Sequence, residues 1–170
     1  MQSGYCRSGQ NWWASDNYGI EPDILTSAKA LGGGVPCGAI LCSEDVAAHF
    51  GPGDLGSTFG GGPLAAAAIV AVIDTIEQDA LLANVREREA QIRDLCVTGP
   101  VRRIQGMGLL LGLVCDRPAA EVRDALLDHD ILTGTSSDPD VLRILAPLVL
   151  EPHHVDHLAH ALSSLAARTD

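Results

Sequence analysis

Thirteen of the chain's 18 glycines fall within its first 62 residues, as the triplets Gly32-Gly33-Gly34 and Gly60-Gly61-Gly62 with seven more scattered between Gly4 and Gly56. Each glycine in a helix interior costs about 1 kcal/mol relative to alanine. This segment therefore reads as turns and short strands. Ala39 to Cys42 is an apolar run bounded by turn formers and is expected to be a buried strand. Ser43-Glu44-Asp45 follows as an N-cap with an acidic first turn. Asp23 to Ala30 reads as either helical or extended.

After residue 62 the pattern changes. Pro63 to about Asp79 is rich in alanine, isoleucine and valine, with proline at the first helical position, and predicts a largely buried helix. A second helix is expected over Ala80 to Cys96, with the charges of Arg86, Glu87, Arg88, Glu89, Arg93 and Asp94 on a solvated face. Strands are then expected at Val101 to Ile104, Leu109 to Val114 and Val141 to Leu145, with a turn at Gly106 and Gly108 between the first two. Helices are expected at Pro118 to His129 and from Glu151 to about Ala167, and Asp138-Pro139-Asp140 reads as a turn. The chain thus divides into 1–79 and an α+β unit over 80–170, a small sheet backed by helices.

Composition narrows the function. At 170 residues and 46% hydrophobic, the chain can build a proper core. A net charge of −11 argues against a general binder of nucleic acid or anionic membrane. The longest apolar stretch, Pro63 to Ile73, is too short to cross a bilayer, and the N-terminus lacks the pattern of a signal peptide, so a cytoplasmic location is expected. Five cysteines, odd in number and with no Cys-x-x-Cys pair, read as buried free thiols. His153, His154, His157 and His160 share one helical face and could hold zinc or nickel, but no cysteine or second element is aimed there; no metal is expected.

Ten basic residues are arginine and one, Lys29, is lysine. Only an amine can lose its proton and attack a carbonyl, so a lone lysine against such a bias points to chemistry that arginine cannot do. Lys29 follows the apolar approach Asp23-Ile24-Leu25-Thr26-Ser27-Ala28 and precedes the first glycine triplet. That setting suits a partly desolvated amine beside which a planar cofactor can lie. On local spacing alone, a surface lysine at a helix end remains the alternative. Further on, Gly56-Ser57-Thr58-Phe59-Gly60-Gly61-Gly62-Pro63 is a hydroxyl- and glycine-rich loop feeding a helix N-terminus, an arrangement that favours a phosphate.

These segments, together with Gln2-Ser3-Gly4, Arg7-Ser8-Gly9, Tyr18 to Ile24, and Val141 to Leu148, resemble class III aminotransferases, the acetylornithine aminotransferase group most closely. The resemblance implies the α/β fold type I of pyridoxal-phosphate enzymes. Residues 1–79 would belong to the C-terminal portion of the large domain and 80–170 would form the small α+β C-terminal domain. It further implies a homodimer with sites between subunits, and transfer of an amino group from an ω-amino donor to 2-oxoglutarate. Lys29 matches the lysine that binds pyridoxal 5'-phosphate as a Schiff base and shuttles the proton. Thr58, assisted by Ser57, matches the threonine that reaches the cofactor phosphate of the partner subunit. Gln2 matches the glutamine on the cofactor's phenolic oxygen, and Arg143 the arginine that grips a substrate carboxylate.

Gly62 stands where the family usually has asparagine, and Met107 where a polar residue is common. The family's aspartate on the pyridinium nitrogen would fall just before Met1. A truncated or split aminotransferase, retaining cofactor weakly by itself, is therefore the alternative expectation.

Overall fold

A computed structural model describes residues 5–58 and 60–165. Two short strands open the fold. β1 (Ile24–Ser27) and β2 (Ala39–Cys42) pair antiparallel, with Ile24 opposite Cys42 and Ser27 opposite Ala39. The ambiguous 23–30 stretch is therefore extended first, and a single 3-10 turn over Lys29–Gly32 follows. α1 (Glu44–Ala47) starts as expected on Ser43, whose Oγ accepts from the Val46 N–H at 3.4 Å.

Two long helices come next, α2 (Pro63–Gln78) and α3 (Leu81–Leu95). Beyond them lies a four-stranded antiparallel sheet of β3 (Val101–Met107), β4 (Leu110–Cys115), β5 (Gly134–Thr135) and β6 (Val141–Leu145), in the order β3-β4-β6-β5. β3 runs on through Gly106, so the hairpin turn is tighter than expected. The two-residue β5 was not foreseen, because a strand that short carries no periodicity. α4 (Ala119–Leu127) lies between β4 and β5 in the sequence, and α5 (Pro152–Ser164) follows β6.

The sheet is central to the larger core. Leu111 and Leu113 of β4 and Leu142 of β6 pack with Val85 and Ile92 of α3, Val122 and Leu126 of α4, and Val155 and Leu162 of α5. Each such side chain contributes about 1.5–3 kcal/mol by leaving water. A second cluster joins Tyr5, Cys6, Leu31, Ile76 and Leu81, with Trp12 edge-on to the Tyr5 ring at 5.7 Å. Leu148 packs against both clusters.

Three expectations of burial are corrected. α2 is not largely buried: Ile76 is its one buried residue, whereas Leu64 is 74% exposed. One face, through Ile69, Val72, Ile73 and Ile76, covers the second cluster, and no described residue layers the other. β2 is likewise no buried strand, with Ile40 72% exposed, because a two-stranded ribbon has no neighbour to cover it. Among the cysteines Cys6, Cys96 and Cys115 are buried, Cys37 is half-buried and Cys42 is exposed.

The charges of α3 also do more than hold water. Glu89 accepts the Gly108 N–H at 2.8 Å through one oxygen and pairs with Arg93 at 2.8 Å through the other. Arg93 in turn donates to the Gly106 carbonyl at 2.7 Å. The helix is thereby stitched to the β3–β4 turn.

Candidate functional site

β1 delivers Lys29 to the site. Ala28 is still extended, at φ −159°, and Lys29 then turns to φ 59°. A residue with a Cβ rarely adopts this left-handed conformation, which costs about 1–2 kcal/mol. Lys29 is exposed rather than partly desolvated as expected, because no described residue closes over its outer side. It lines a cavity of about 410 Å³. The walls are Ala30, the α2 residues Ala71, Val72, Thr75 and Ile76, then Leu81, Leu145 and Leu148.

Tyr5 and Arg7 also line this cavity, and neither is assigned a role from sequence. Tyr5 is buried, and its hydroxyl has no hydrogen-bond partner among the described residues. Burial, and after it the neighbouring Cys6 and Cys37, push that hydroxyl above the usual phenol value. Arg7 donates through Nη1 to the Ala146 carbonyl, and desolvation lowers its pKa. Both residues sit in the Gln2-to-Gly9 motif, but their place beside Lys29 follows from packing between distant segments, Arg7 reaching Ala146 and Tyr5 clustering with Leu31, Ile76 and Leu81. Local spacing carries no trace of them.

Arg143 lies on β6, opposite Gly112 of β4 and Gly134 of β5. A Cβ on Gly134 would stand 3.1 Å from Nη2 and 3.2 Å from Nε, so the guanidinium lies across that glycine. It opens on a different, larger cavity of about 860 Å³, lined also by Thr133, Val149, His153, His154 and His157. Leu145 belongs to the walls of both cavities. Lys29 and Arg143 thus flank the end of β6 without sharing one pocket.

Ser57 and Thr58 are exposed and line neither cavity. The Ser57 Oγ accepts the Gly60 N–H at 2.9 Å. The Gly62 N-cap offers no side-chain bond to the start of α2, so the first N–H groups of that helix stay open. Gln2 lies outside the described residues. The histidines of α5 turn to local partners: His154 accepts from the Glu151 N–H at 3.2 Å, and a ring nitrogen of His157 meets the His129 carbonyl at 2.9 Å.

Comparison with known proteins decides the family. The Aminotransferase class-III profile matches residues 1–165. The chain belongs to the class-III aminotransferases. An acetylornithine aminotransferase of Gloeobacter violaceus is 43% identical over 175 residues, covering 99% of this chain and 43% of its own. The crystal structure of acetylornithine aminotransferase from Elizabethkingia anophelis superposes with a TM-score of 0.84 at 26% identity, covering 96% of this chain and 45% of that one. Ornithine aminotransferase from Toxoplasma gondii, a structure with partial occupancy of PLP at its active site, gives 0.83 at 29% identity, covering 97% and 42%. The fold is accordingly part of fold type I, and pyridoxal phosphate is the cofactor of this class-III family. The chain spans about 43% of the length of the curated relatives it matches.

Proposed function

We propose that this class-III aminotransferase chain serves transfer of an amino group from an ω-amino acid of the acetylornithine type to 2-oxoglutarate, in arginine or lysine biosynthesis. The observation that carries the reading is Lys29: the chain's one lysine, held in a strained left-handed turn with its side chain exposed at an apolar cavity. The residues fit pyridoxal phosphate. About 410 Å³ lies in the range of small-molecule sites, the walls are mostly aliphatic, and Tyr5 contributes a buried hydroxyl with no partner among the described residues.

The cofactor, when bound, supplies an electron sink for the carbon that carries the amino group. Lys29 Nζ would hold it covalently and, when free, would carry the proton between that carbon and the cofactor. Arg143 grips the substrate carboxylate through a bidentate fork. Ser57 and Thr58, beside the N-terminus of α2, would bind the cofactor phosphate of the partner subunit in a cytoplasmic homodimer, and Gln2 would be the partner of the phenolic oxygen.

Treatment with pyridoxal phosphate followed by borohydride reduction and peptide mass spectrometry tests this. A pyridoxyl adduct is expected on Lys29 and lost in Lys29→Arg; labelling confined to the terminal amine would refute the proposal. Turnover of N-acetylornithine against ornithine and 4-aminobutyrate then identifies the donor.

The span of the chain relative to its relatives favours a second reading, that these residues are one part of a larger or two-part transaminase and are inactive alone. Weak cofactor retention and no turnover by the isolated chain would support it. Tight binding with sustained turnover would dismiss it.

A further inference from the structure

The 146–150 segment between β6 and α5 belongs to no helix or strand, yet three of its carbonyls receive side-chain donors. Arg7 Nη1 donates to the Ala146 carbonyl. Asn84 Nδ2, on α3, donates to the Leu148 carbonyl at 2.7 Å and the Leu150 carbonyl at 3.0 Å. The segment is thereby held at its start, its middle and its end. Within it Leu148 walls the Lys29 cavity and packs against both hydrophobic clusters, and Leu145, just before it, walls both cavities.

Arg7 is an expensive way to satisfy a carbonyl. It is half-buried and desolvated, and no ion pair among the described residues includes it. Taking a guanidinium from water without a carboxylate costs free energy that one neutral acceptor only partly returns. Its own backbone is fixed as well: the Arg7 carbonyl accepts the Leu109 N–H at 2.8 Å. Gly108 closes on that carbonyl so tightly that a Cβ would stand 2.1 Å from it. Arg7 is thus anchored to the β3–β4 turn at its main chain and reaches the end of β6 with its side chain.

We propose that Arg7 and Asn84 are positioning residues that pin the 146–150 segment along the Lys29 cavity. They keep Leu145 and Leu148 as its wall and hold β6, with Arg143, in fixed relation to Lys29. This rests on the assignment of the Lys29 cavity to the cofactor only for its effect on chemistry; the pinning itself is independent of it. Neither residue touches the reacting atoms. Asn84, which lines neither cavity, acts through the segment it holds, and Arg7 does so while also lining the Lys29 cavity.

Two readouts on the full chain test the proposal. The first is amide hydrogen exchange in Asn84→Asp, which keeps shape but loses the donors, in Arg7→Gln, in the double variant, and in Arg7→Lys as the conservative control. Losing a hydrogen bond of this kind should raise exchange at Leu150, whose N–H donates to the Pro147 carbonyl at 3.1 Å, about fivefold to tenfold, with β3 and β4 unchanged and Arg7→Lys close to the parent. The double variant should fall short of the product of the single effects, as coupled sites do. Unchanged protection at Leu150, or a loss spread evenly over the sheet, would overturn it.

The second readout is the concentration of pyridoxal phosphate that half-saturates cyanoborohydride trapping at Lys29. It should rise several-fold in Asn84→Asp, whose site lies outside the cavity, while the limiting rate stays constant. An unchanged half-saturation, with exchange at Leu150 raised, would remove the link between the segment and the cavity. If trapping does not saturate in the parent chain, the functional assignment of the cavity falls, and the exchange result still decides the pinning.

Discussion

Lys29 carries backbone strain and an exposed amine at the same position. Its side chain contributes little to burial, while its φ of 59° favours a residue without a Cβ. Lys29→Gly should therefore stabilise the chain by about 1 kcal/mol relative to Lys29→Ala in urea denaturation, with both variants unable to form the pyridoxyl adduct. Equal stabilities for glycine and alanine would show that the turn is not strained. Arg143 has the opposite character: a guanidinium laid over Gly134, in a site that depends on the absence of a neighbour's Cβ. The residue types at both positions were visible in the sequence, since an amine and a planar fork have few substitutes. Tyr5 and Arg7 were not, because their roles come from what folds against them.

Among the elements, the sheet and the ribbon behave differently although both are apolar. Leu113 sits fully buried on the inner strand β4, between β3 and β6, with α-helices over it. Ile40 sits on a two-stranded ribbon and is mostly exposed. Leu113→Ala should cost about 2–5 kcal/mol by lost transfer energy and cavity formation. Ile40→Ala should change stability by less than about 0.5 kcal/mol. Denaturation midpoints measure both, and equal losses would mean that β2 is covered by a layer these elements do not provide. Periodicity located the apolar runs of β2 and α2 well, but an apolar run shows what a segment can bury, not whether a partner is there to bury it against.

Across the whole molecule, burial sets the behaviour of the thiols. It pushes Cys6 up to about 11 and Cys96 up to about 12 from an ordinary 9.0, the latter helped by Asp156. Both groups hold their proton more tightly folded than unfolded. The stability they contribute is complete below pH 9.0 and is lost as the pH rises from there through about 11 to 12. Urea midpoints should be level between about pH 7 and 8.5 and fall above 9, and a midpoint that climbs there would contradict the assignment. In native chain a thiol reagent should reach Cys42 first, and Cys6, Cys96 and Cys115 only on unfolding.

The strands β3, β4 and β6 with the helices that follow them, the Ser43 cap and the Lys29 motif were legible in the residues alone, since each depends on neighbours within a few positions. The left-handed turn at Lys29, the bare faces of α2 and β2, and the stitching of α3 to the β3–β4 turn were not. Nor was the hydrogen bond from Arg7 to Ala146, which spans 139 positions. Such features depend on which surfaces meet. A local pattern records the capacity of a side chain to bury, bond or carry charge, and the partner that uses it is set by packing between segments far apart in the chain.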